Sequence, residues 1–70
     1  MNNLNTFTVE MPHEDAYQLA LFIKRVRHDQ CRELTDSGQT SPQRDDQAYA
    51  MLHSLELIAK VLRENGYAPR

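Results

Sequence analysis

The chain has 70 residues and a formal net charge of −2, with 40% apolar and 26% charged residues, which describes one small domain and excludes two lobes with a cleft between them. A single cysteine, Cys31, excludes an intrachain disulfide and a thiolate-rich zinc site. The acidic balance, with a pI of about 5.8, gives no global attraction to nucleic acid or anionic lipid.

Residues 1–5 read as a flexible start without the basic and apolar regions of a signal peptide. The longest nearly apolar run, Ala16 to Ile23, is interrupted by Gln18 and far too short for a membrane span. The expected location is the cytoplasm, where a lone thiol stays reduced.

Residues 6–11 alternate, with Phe7, Val9 and Met11 on one side and Thr6, Thr8 and Glu10 on the other. That pattern predicts a short half-buried strand. Pro12 ends it and opens a helix over 12–35, with Glu14 and Asp15 in the first turn where the helix dipole favours anions. Leu19, Ala20, Ile23, Val26 and Leu34 fall within about 80° of Ala16 on the helical wheel and form its core stripe with it.

Residues 36–41 form a turn around Gly38, with Ser41 and Pro42 as N-cap and first residue of a second helix over 42–65. Its stripe is Ala48, Met51, Leu52, Leu55, Ala59 and Leu62. Gly66 suits a left-handed C′ position and Tyr67 the covering C″ position, before a tail over 68–70 that Pro69 keeps non-helical.

The predicted fold is therefore mostly α, a β-α-α unit in which a short N-terminal strand precedes an antiparallel helical hairpin, spanning 6–67 as one domain. Such a small core supplies only about 3–5 kcal/mol. Apolar residues are left over, and a lone strand has no partner. A two-fold homodimer with paired strands and a four-helix core answers both needs, its interface comprising Phe7, Val9, Ala50, Ser54, Leu57, Ile58 and Val61.

Candidate chemistry is sparse. His28 and Cys31 sit one helical turn apart and, with His53, would supply three metal donors. Without a second cysteine or a close histidine pair they read instead as packing and surface residues, so no metal or cofactor is expected. Of the carboxylates Glu10, Glu14, Asp15, Asp45 and Asp46, four stand in first helical turns, and no glycine-rich phosphate loop accompanies them. The expectation is a protein that is not an enzyme.

Tyr17, Leu21, Lys24, Arg25, His28 and Arg32 share the side of the first helix opposite its core stripe, an apolar end grading into a basic one, and form a candidate face for an acidic partner. A solvated face explains the same pattern through four-residue pairs, Arg25 with Asp29 and Arg32 with Asp36. Tyr49, His53, Glu56, Lys60 and Arg63 form a mixed-charge solvated face. Arg27 and Gln30 fall on the core side, where a polar plug pairing Arg27 with Asp46 is expected.

The order of strand, proline, helix, turn and helix resembles the ribbon-helix-helix repressors, which lay paired strands in the DNA major groove. That resemblance implies a DNA-binding regulator, the alternative function. The outward strand residues Thr6, Thr8 and Glu10 oppose it, because ribbon readers carry Arg, Lys, Asn or Gln there and phosphate repels a carboxylate.

Phe7 to Val26, Asp46 to Met51 and Leu62 to Arg70 together cover most of the chain and are similar to a family of short proteins without assigned activity, carried by bacterial phages, plasmids and integrative elements. The resemblance transfers no catalytic residue. It implies a genomic setting in which small acidic proteins, anti-CRISPR proteins among them, inhibit host defence complexes or regulate the element. The expected function is thus a non-enzymatic protein-interaction module with a protein partner.

Overall fold

Helix α3, Ser41–Glu64, is the spine of the protein, and two shorter helices, α1 (His13–Arg25) and α2 (His28–Glu33), lie antiparallel along its two halves. The computed structural model describes residues 3–70; Met1 and Asn2, part of the start expected to be flexible, lie outside the described residues. At 1.5 Å per residue the 24 residues of α3 span about 36 Å.

Each end of α3 has a local cause. Thr40 is the N-cap rather than Ser41: its hydroxyl accepts the Gln43 N–H at 3.3 Å, and its own N–H donates to Gln43 Oε1 at 2.9 Å. Two amide donors are satisfied reciprocally. At the other end the Gly66 N–H donates to the Arg63 carbonyl at 3.0 Å and the Tyr67 N–H to the Leu62 carbonyl at 2.9 Å. This is the Schellman arrangement expected from Gly66 and Tyr67, and Gly66 supplies the positive φ of 93° that it requires. Tyr67 packs against the core cluster that contains Leu62.

The expected strand over 6–11 does not form. Among the described residues there is no strand at all, and the segment leading to Pro12 is irregular, with Phe7 83% and Val9 69% exposed. Alternation states which side chains would share a face of a sheet. It supplies no second strand, and an unpaired strand leaves its backbone groups without a ladder. The paired-strand dimer built on this element falls with it.

The single helix expected over 12–35 is broken. Val26 (φ −68°, ψ 141°) and Arg27 (φ −121°, ψ 166°) are extended, so α1 stops at Arg25 and α2 starts afresh at His28. Gln30 reaches back to accept the Arg27 N–H at 2.8 Å. An unbroken helix would have turned Arg27 and Gln30 toward α3, and burying an unpaired guanidinium is costly. The break leaves both exposed and makes Cys31 the buried residue of α2. Leu34, expected in the core stripe, is exposed for the same reason, and Val26 is half-buried.

The core is small and alanine-rich. Ala16, Ala20 and Ile23 of α1 meet Ala59 and Leu62 of α3, with Leu19, Leu55 and Tyr67 around them. Ala48, fully buried, belongs to the N-terminal half of α3, which faces α2. The radius of gyration is 14.0 Å, against about 11 Å for a compact domain of this length.

Candidate functional site

The α2–α3 joint carries the densest polar network. The Arg32 guanidinium donates from Nε to Asp45 Oδ1 at 2.6 Å and from Nη2 to Ser41 Oγ at 2.6 Å. Arg44 returns across the joint, donating to Thr35 Oγ1 at 2.9 Å and to the Arg32 carbonyl at 3.1 Å. Gln47 accepts the Asp36 N–H at 3.0 Å and donates to the Asp36 carboxylate at 3.2 Å. A polar plug therefore exists, built from residues other than Arg27 and Asp46, between which no ion pair forms among the described residues. The expected pairs Arg25–Asp29 and Arg32–Asp36 are absent among them too. Arg25 and Asp29 stand on different helices, and Arg32 turns to Asp45 instead.

His28 stacks on Tyr49 with ring centroids 4.2 Å apart, and its Nε2 lies 4.0 Å from Asp45 Oδ1. Cys31 is buried and His53 exposed on α3. Among the described residues no three His, Cys, Asp or Glu side chains gather as metal donors. The carboxylates are dispersed as well: Glu14 accepts from Gln18 at 2.9 Å, Asp45 serves Arg32, and Glu56 lies 3.8 Å from Arg63.

The candidate partner face is divided by the break. Tyr17, Lys24 and Arg25 remain exposed on α1 and Leu21 is half-buried there, whereas His28 and Arg32 are engaged by Tyr49 and Asp45 of α3. The expected interface residues separate likewise. Phe7 and Val9 stand on the irregular N-terminal segment, while Ala50, Ser54, Leu57, Ile58 and Val61 are all exposed on α3, on the side away from Ala59. Ser54 donates its hydroxyl to the Ala50 carbonyl at 2.8 Å. That leaves the stripe effectively apolar.

A groove of about 520 Å³ runs along the seam of α1 and α3 and was not legible in the sequence. Ala20, Ile23, Leu52, Leu55 and Ala59 line it between Lys24 and Arg27 on one bank and Arg63 on the other. The break at Val26 places Arg27 there. On one continuous helix, periodicity directs it inward.

No helix among the described residues is long and apolar enough to cross a membrane. No curated protein and no solved structure matches the chain. The DUF7706 family of unknown function matches residues 1–70, and the chain belongs to that family.

Proposed function

We propose that the chain is a non-enzymatic protein-interaction module that works as a homodimer, joined through the outer stripe of α3. The observation that carries this reading is that stripe, an apolar helix face that no other element among the described residues covers, with Leu57 57% and Val61 56% exposed. A core made largely of alanine leaves the hairpin short of buried apolar area, and packing the 36 Å helix against its two-fold mate adds what is missing. Dispersed carboxylates and a buried lone thiol support a binding rather than a catalytic role. The resemblance to short proteins of phages, plasmids and integrative elements supports a host defence or regulatory complex as the target. The DNA-binding alternative lacks the paired ribbon it needs, since residues 6–11 form no strand.

Sedimentation tests the dimer. The parent is expected at twice the 8.1 kDa chain mass, with a melting temperature that rises with protein concentration. Leu57→Asp places a charge against the apolar mate and should abolish both features. A parent that sediments as a folded 8.1 kDa chain with a concentration-independent melting point overturns the reading.

A further inference from the structure

The groove between α1 and α3 lies on a different side of α3 from the outer stripe, and its rim is charged asymmetrically. Lys24 and Arg27 stand on the α1 bank and Arg63 on the α3 bank, while Glu56, 3.8 Å from Arg63, is the only acid lining it among the described residues. The site thus has a local excess of two positive charges in a chain whose formal net charge is −2. Its floor on α3, from Leu52 past Leu55 toward Arg63, spans about 16 Å, three turns of helix.

We infer that this groove docks an acidic amphipathic helix of a partner protein, which lies along the seam as a third helix. The inference rests on the reading of the chain as an interaction module and names the chemistry of its partner. A third helix would set its apolar stripe on Leu52 and Leu55, with Glu or Asp on the flank facing α1 reaching Lys24 and Arg27. Charged residues flanking an apolar seam select partners in this way in coiled coils. Arg63 on the α3 bank is paired with Glu56, so the net positive charge of the rim comes from Lys24 and Arg27 on the α1 bank. A second copy is a poorer match, because its own outer stripe is flanked by Lys60 and Glu64, of opposite sign.

The test uses the full chain and a fluorescein-labelled 14-residue helical peptide, with leucines three and four residues apart and glutamates beside them, against a twin carrying lysine in place of each glutamate. Fluorescence anisotropy should show the acidic peptide binding and the basic twin at least about tenfold weaker. Lys24→Glu combined with Arg27→Glu should reverse that preference, while Lys60→Glu, off the groove, should leave it unchanged. Both substituted residues are exposed, and circular dichroism verifies the fold of each variant. No binding of the acidic peptide, or equal binding of the two peptides, overturns the inference. So does loss of the dimer in the Lys24→Glu, Arg27→Glu chain, which would assign the groove to a second copy. Sedimentation of the parent judges dimerisation separately, so failure of the module reading and failure of the groove inference give different results.

Discussion

Tyr67 and His13, 54 positions apart, are joined by a 2.7 Å hydrogen bond between the tyrosine hydroxyl and His13 Nδ1, with their rings tilted and 5.1 Å apart. The contact ties the first residue of α1 to the residue that follows the left-handed cap of α3, closing the open end of the hairpin. Tyr67→Phe removes only the hydroxyl at an exposed site and should cost about 0.5–1 kcal/mol. Tyr67→Ala also removes the ring that packs on the core cluster, so it should cost about 2–3 kcal/mol. Thermal unfolding of the two variants separates these contributions, and equal losses would show that the ring contributes nothing.

Gly66 adopts φ +93° with open space where a Cβ would stand. Gly66→Ala therefore meets no clash with a neighbour, and its cost is the left-handed backbone alone, about 1–2 kcal/mol. In a chain of this size that corresponds to a fall in melting temperature of roughly 4–8 °C per kcal/mol. An unchanged melting temperature would mean that the cap does not hold this geometry in solution.

The Arg32–Asp45 pair is short, but its side chains remain 32% and 44% exposed. Solvent screening should limit the coupling between them to about 0.5–1 kcal/mol. A double-mutant cycle with Arg32→Ala and Asp45→Ala measures this by denaturant unfolding. A coupling above about 2 kcal/mol would place the pair in a drier setting than a half-exposed joint.

Residues 3–11 are exposed and outside any regular element. Removing residues 1–11 while keeping Pro12, whose carbonyl accepts the Ala16 N–H at 3.1 Å, should leave the helical circular dichroism signal intact. The melting temperature should move by no more than about 2–4 °C, the scale of a surface change of about half a kcal/mol. Cooperative loss of structure would restore a structural role to the segment.

Features that a few neighbouring residues decide were readable along the chain. Gly66 and Tyr67 carry the Schellman cap because its hydrogen bonds close within six residues, and Gly38 takes a positive φ inside its turn. The spacing of Ala59 and Leu62 places them in the core, and Leu57 and Val61 outside it, because α3 is one uninterrupted helix and its wheel holds throughout. The capping box of Thr40 and Gln43 is just as local, yet Ser41 beside Pro42 offers a competing cap, and the sequence reading assigns the N-cap one residue late.

Wherever a second element had to take part, tertiary structure decided. Phe7, Val9 and Met11 have the alternation of a strand, yet a strand exists only where another supplies its hydrogen bonds, and the hairpin offers none. Val26 and Arg27 carry no local stop signal. The first helix breaks there because packing on α3 accepts Cys31 and leaves Arg27 outside. That break also divides the six-residue face between α1 and α2, sends Arg32 to Asp45 and opens the groove beside Arg27. Helical periodicity carries direction only while a helix continues, and where one ends depends on what lies opposite.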